Sequence, residues 1–180
     1  MRMPTFAKPP ELIAAMRQAA RIAVGTVEMI GAAVRRGISS AELDALCRRC
    51  IESQGGVAAC IGCQGYAHAT CISVNPVLCH GVPGPKLLKD GDLLNIDLVV
   101  SVDGAHADTS ATFFAGRPGI AAARLARVTQ EHRAGHRGRR RGADLAAGRA
   151  GSAGPLEARP GRAAAIGQAA RRLSGRAAPA

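Results

Sequence analysis

The sequence predicts a mixed α/β fold of the α+β kind with antiparallel pairing, and three observations carry that prediction. Two alternating runs, β-branched and apolar, flank Asp103-Gly104 within residues 93–114, LLNIDLVVSVDGAHADTSATFF; Asp-Gly between such runs is the strongest short-range hairpin signal. Two stretches with apolar residues at helical spacing precede it. Short extended runs lie between, separated by loops built on glycine and proline.

Pro9-Pro10-Glu11 opens the first helix, since proline suits a first helical turn and an acid there suits the helix dipole. Ile13, Met16, Ala20, Val24, Val27 and Ile30 form its expected apolar stripe, and Arg35-Arg36-Gly37 its expected close, with cations in the last turn and a glycine beyond. Ser39 and Glu42 have capping-box spacing and start a second helix, with Leu43, Leu46, Cys47 and Ile51 as its stripe and Gly55-Gly56 as its end. Val57 to Ile61 and Thr70 to Val74 read as strands around a glycine-containing loop at 62–66. Asn75-Pro76 ends the second. Val77 to Pro83 is a short extended segment, and Lys89-Asp90-Gly91 is the turn that launches the central hairpin. After the break at Gly116-Arg117-Pro118-Gly119, Leu125 and Val128 mark a helix over 120–131.

With Asp103 and Gly104 as the turn, Val102 pairs with Ala105, Val99 with Asp108 and Asp97 with Ser110. Period two places Asn95, Asp97 and Val99 on one face together with Asp108 and Ser110. Asp97 and Asp108 are then diagonal neighbours, roughly 7 to 8 Å apart at the backbone and closer at the side chains. Strands disfavour Asp, and like charges at roughly 6 Å repel by about 3 kcal/mol at an effective dielectric of about 20. A cation between them removes that cost, and paired divalent metals clamped by carboxylates are a recurrent hydrolase device. The alternative is two solvated carboxylates on an exposed face.

The chain of 180 residues suits one domain, or one domain and a tail. It has no apolar run long enough to cross a membrane and no apolar signal-peptide core at its N-terminus, so a cytoplasmic protein with no membrane partner is expected. Its six cysteines are then reduced thiols. Cys47-x-x-Cys50 and Cys60-x-x-Cys63 have the spacing of zinc half-sites, but the first pair lies mid-helix with Cys47 on the apolar stripe, which favours buried thiols. His80 stands before Gly81 and Pro83, a setting that fixes the backbone and exposes the imidazole; a core or loop histidine is the alternative. His68 and His106 have no comparable setting.

The net charge of +11 is unevenly shared. Residues 1–131 hold 13 Lys or Arg against 11 Asp or Glu, whereas residues 132–180 hold 11 Arg against Asp144 and Glu157. That second segment also contains 15 Ala and 9 Gly, with Leu145, Leu156, Ile166 and Leu173 as its large apolar residues. So few cannot offset the entropy of ordering it, and a disordered tail is expected. Its arginines suit nonspecific contact with RNA or the ribosome through phosphates, although it has no aromatic residue for stacking; a bystander tail is the alternative. Ala, Arg, Gly and Pro are also what a GC-rich gene encodes out of frame, so a frameshift near Glu131 would explain the change. Sequencing the locus and translating its other frames tests that.

Three segments carry a resemblance: CISVNPVLCHGVP at 71–83, LLKDGDLLNID at 87–97 and DGAHADTS at 103–110. In this order and spacing they resemble type I methionine aminopeptidase, over about residues 8–131. The resemblance implies the pita-bread fold of the creatinase and aminopeptidase group, here its N-terminal half, with an antiparallel sheet. It implies a cytoplasmic hydrolase, a protease that removes the initiator methionine from nascent chains. The cofactor implied is a pair of divalent ions, Co, Mn, Fe or Zn, held by two Asp, one His and two Glu. Asp97 and Asp108 match the two Asp ligands, and His80 matches a histidine that contacts substrate. Cys60, Tyr66 and Cys71 match positions lining the methionine pocket, while Cys63 stands where the family commonly has tyrosine.

Three of the five family ligands, and a second substrate-contacting histidine, belong to the half beyond Glu131. The domain division expected is therefore a partial catalytic domain, 1–131, followed by an unrelated basic tail, 132–180. On that basis the chain is expected to be truncated, to bind metal weakly and to be catalytically dead or nearly so. It is also expected to expose an apolar sheet face and open strand edges. A ribosome-associating module and the nonfunctional remnant of a disrupted gene are the alternatives to an enzyme.

Overall fold

The computed structural model describes residues 7–142, with side chains described as far as Glu131. The expected tail from residue 143 onward lies outside the described residues. Two helices come first, α1 (Pro10–Ala33) and α2 (Ser40–Ser53), then β1 (Val57–Ala58), β2 (Thr70–Val74), β3 (Asp92–Val102), β4 (Ala105–Ala115) and α3 (Ile120–Gly142).

β3 is the spine of an antiparallel sheet. β4 runs along one side of it, and β1 and β2 follow each other along the other. The Asp103-Gly104 turn is as expected, with φ of 48° and 75°, and Val102 pairs with Ala105, Val99 with Asp108 and Asp97 with Ser110. Two consecutive positive φ values match the right-handed twist of the strands, which is why this dipeptide closes a two-residue hairpin.

Leu94, Ile96, Leu98 and Val100 are fully buried on the face covered by α1 and α2. Each such side chain contributes about 1.5–3 kcal/mol by leaving water. α2 is the second helix expected. The Ser39 hydroxyl accepts from the Glu42 amide at 3.2 Å, and Glu42 returns to the Ser39 amide at 2.9 Å. Leu43, Leu46, Cys47 and Ile51 are all buried, as its stripe requires.

Elsewhere tertiary contacts override the local pattern. The buried face of α1 is Ala19, Ile22, Ala23, Thr26, Val27, Met29 and Ile30, whereas Ile13, Ala20 and Val24 face solvent. Only Val27 and Ile30 of the expected stripe are in the core. The helix also stops at Ala33, before its arginines, because the chain leaves to pair with residues 87–88. The Gly37 amide donates to Leu88 O at 2.9 Å and the Leu88 amide to Ile38 O at 2.8 Å. β1 is two residues rather than the five expected, since the chain turns at a 3-10 segment, Cys63–Gly65, flanked by Gly62 at φ 83°. α3 continues past Glu131 to Gly142, so the change of composition at residue 132 does not coincide with a helix end.

The second sheet face is largely polar, not the apolar patch expected. It presents Asn95, Asp97, Val99 and Ser101 from β3, and His106, Asp108, Ser110, Thr112 and Phe114 from β4. The outer edge of β4 has no strand partner among the described residues.

Candidate metal centre

Asp97 and Asp108 meet on this polar face. Asp97 is half-buried and Asp108 exposed, and Asp108 is close enough to act on the Asp97 carboxyl. Burial pushes the Asp97 carboxyl above the ordinary carboxylate range, and the charge of Asp108 and a side-chain hydrogen bond with it push the same way. His80 opposes the shift, which puts its imidazole within electrostatic reach of Asp97. In donor type the pair suits a hard divalent cation, which would relieve the repulsion. Among the described residues, no three His, Cys, Asp or Glu side chains gather to hold a metal.

The backbone explains how His80 arrives there. It sits at φ 53°, in the left-handed region, and its side chain is exposed. Cys71 pairs directly with Asp97 in the sheet, which carries it to the same face. Cys60 lies within reach of both carboxylates and of Cys71; burial raises its thiol pKa, partly offset by a backbone interaction with Val99. Tyr66 is pushed well above the phenol range by burial and by a hydrogen bond with Cys71. All six residues singled out in the sequence, Cys60, Tyr66, Cys71, His80, Asp97 and Asp108, therefore form one connected neighbourhood.

Sequence reasoning missed the support beneath it. Asp44, on the buried side of α2, accepts from the Thr70 amide at 2.9 Å and the Thr70 hydroxyl at 2.7 Å, and lies 3.3 Å from His68 Nδ1. His68 packs edge-on to Tyr66, with ring centroids 5.5 Å apart, and the Tyr66 hydroxyl donates to Thr70 O at 2.9 Å. So His68, which has no distinctive sequence setting, has a defined structural one. The available signal was an acid at Asp44, three residues before Cys47 and seven before Ile51 on the apolar side of an amphipathic helix. The two cysteine pairs do not form a zinc site. Cys47 and Cys50 are buried in α2, and burial pushes the Cys47 thiol far up; Cys63 is exposed, and all six cysteines are free.

Comparison with known proteins puts this arrangement of helices on an antiparallel sheet in a class of metallopeptidases. A family model, "Metallopeptidase family M24", matches residues 14–150, and the chain belongs to that family. The match runs past Glu131. Within the family the chain is similar to methionine aminopeptidases: it is 50% identical over 126 residues to that of Escherichia coli strain K12, covering 69% of this chain and 48% of the relative. Among solved structures it resembles methionine aminopeptidase from Rickettsia prowazekii, with a TM-score of 0.67 and 34% identity, over 69% of this chain and 50% of that one. The corresponding protein of Thermotoga maritima gives 0.67 and 27%. The chain thus spans about half the length of the curated relatives it matches. The fold is that of the pita-bread peptidases. No described helix is long and apolar enough to cross a membrane.

Proposed function

We propose that this chain carries the N-terminal part of a methionine aminopeptidase site, in which Asp97 and Asp108 hold divalent metal and His80 contacts the substrate. The observation that carries this reading is the diagonal placement of Asp97 and Asp108 on one sheet face, with His80 within electrostatic reach of Asp97. When bound, the metal supplies Lewis acidity and an activated water for peptide hydrolysis. Around it, Cys60, Tyr66 and Cys71 form an apolar, polarizable wall suited to a thioether side chain. On this reading His80, as the family resemblance implies, hydrogen bonds at the scissile amide. The substrates on this reading are nascent peptides beginning with Met, in the cytoplasm.

By itself the 180-residue chain is proposed to be inactive or nearly so. The other His and two Glu ligands that the family resemblance implies are not matched in its first 131 residues, and open positions filled by water weaken affinity. Calorimetric titration with Mn and Co, on wild type beside Asp97→Ala and Asp108→Ala, tests this. The expected result is binding weaker than micromolar in the wild type and none in either variant. Tight binding abolished by either substitution would mean that other groups complete the site. Release of methionine from a Met-Ala peptide, lost in Asp108→Ala, would contradict inactivity.

A second reading rests on the concentration of 11 arginines in residues 132–180. It is a non-catalytic module that associates with the ribosome through phosphate contacts. Salt-dependent co-sedimentation with ribosomes, lost on deleting 132–180, supports it. Co-sedimentation unchanged by that deletion removes it.

A further inference from the structure

His80 belongs to a loop, residues 75–84, whose middle is exposed; Leu78 is 94% exposed. Three anchors hold the loop. At its start the Asn75 amide donates to Leu93 O at 2.8 Å, and the Leu93 amide donates to Asn75 Oδ1 at 3.0 Å. At its end the Gly84 amide donates to Ser40 Oγ at 2.9 Å. The third anchor is next to His80 itself. The Ile72 amide donates to Gly81 O at 2.8 Å, and the Gly81 amide donates to Ser73 Oγ at 3.1 Å.

Ser73 is nearly fully buried, pairs with Asn95 in the sheet, and shares the face of Cys71 and Asp97. Gly81 lies so close to β2 that a Cβ there would collide with Ile72 O and the Ser73 Cα. That close approach removes any side chain at 81 as a means of locating the loop. The hold is made by β2: one backbone bond from Ile72 and one side-chain bond to Ser73. A non-glycine residue at positive φ persists only when its surroundings over-determine it, and His80 at φ 53° immediately precedes this anchor.

We propose that Ser73 is a positioning residue for His80: by accepting the Gly81 amide proton it seats the loop on β2 and keeps the imidazole beside Asp97. This rests on the reading of Asp97 and Asp108 as metal ligands and His80 as substrate contact. It adds a residue that touches neither metal nor substrate. Ser73→Ala removes the bond without adding bulk. Ser73→Thr retains the hydroxyl.

The test uses the full chain, labelled on histidine and backbone amides, with Mn added as a paramagnetic probe. In wild type, broadening is expected at the Leu98 and Thr109 amides and at the His80 ring, and much less at the His68 ring. In Ser73→Ala the His80 broadening should fall several-fold while Leu98 and Thr109 are unchanged, and Ser73→Thr should restore it. Unchanged His80 broadening in folded Ser73→Ala overturns the proposal and leaves the metal reading intact. If Leu98 and Thr109 do not broaden in wild type, the metal reading fails. The proposal is then decided without metal, by cross-relaxation between the His80 ring and the Asp97 β protons: loss in Ser73→Ala upholds it, and persistence overturns it. If Ser73→Ala unfolds, Ser73→Cys, similar in volume and a poor acceptor, replaces it in both experiments.

Discussion

Asp97 and Asp108 occupy diagonal positions across the hairpin, Asp97 opposite Ser110 and Asp108 opposite Val99, and the charge of Asp108 bears on the Asp97 carboxyl. Part of the cost of holding Asp97 in this environment comes from Asp108, and the fold carries it whenever both are ionised.

That cost has a definite pH dependence. The folded Asp97 carboxyl keeps its proton to higher pH than the ordinary value of 3.8. Its penalty is therefore absent below the unfolded value, grows as pH rises through the folded one, and is complete at neutral pH. Asp108→Asn should raise stability at pH 7 by about 0.5–1 kcal/mol, a figure reduced from the bare Coulomb value because both groups see solvent. The gain should vanish near pH 4, about the unfolded value. Denaturant melts of both proteins at the two pH values check this. A gain over wild type no larger at pH 7 than at pH 4 would show that the carboxylates do not repel in the folded chain.

Asp44 is expected to be among the most sensitive polar positions. Removing its carboxylate strands the Thr70 amide and hydroxyl in a buried site, and bonds to a charged acceptor contribute about 1.5–3 kcal/mol each to stability. Asp44→Ala should destabilise by about 3 kcal/mol and loosen Tyr66. Asp44→Asn, which keeps one acceptor, should cost less. Urea melts with Tyr66 fluorescence would reveal both effects, and an alanine variant as stable as wild type would refute the role.

The capping box gives a smaller and more local loss. Ser39→Ala forfeits the bond to the Glu42 amide and should cost about 1 kcal/mol. Thermal melts would read this as a lower Tm.

Thiol reactivity should separate four of the six cysteines. Cys63 and Cys79 are exposed and should react first with an aromatic disulfide reagent at neutral pH. Cys60, half-exposed with its pKa raised, should follow more slowly, and buried Cys47 should react only on unfolding. Mass mapping of partly labelled protein gives the order. Protection of Cys63 together with Cys60 would reopen the question of a structural zinc.

What was legible in the sequence was what neighbours along the chain settle between themselves. The Asp103-Gly104 turn sets the hairpin register, and the register brings together two acids eleven positions apart. Ser39 and Glu42 cap α2 across three residues. The three motif segments carried the family, and Cys60, Tyr66 and Cys71 entered through that resemblance, whereas His80 stood out already by its place before Gly81 and Pro83 and the resemblance gave it a role.

Tertiary structure decided whatever depends on partners far along the chain. The stripe of α1 cannot be chosen from α1 alone, because Ala19, Ile22 and Ala23 become core only where β3 and β4 pack against them. The pairing of Gly37 with Leu88 ends that helix early. Asp44 finds His68 and Thr70 across 24 and 26 residues, and Ser73 meets Gly81 only where a loop folds back on the edge of β2. Local sequence determined the turn, the cap and the carboxylate pair, since short loops close at little entropic cost; packing determined what holds His80 and Tyr66 in place around them.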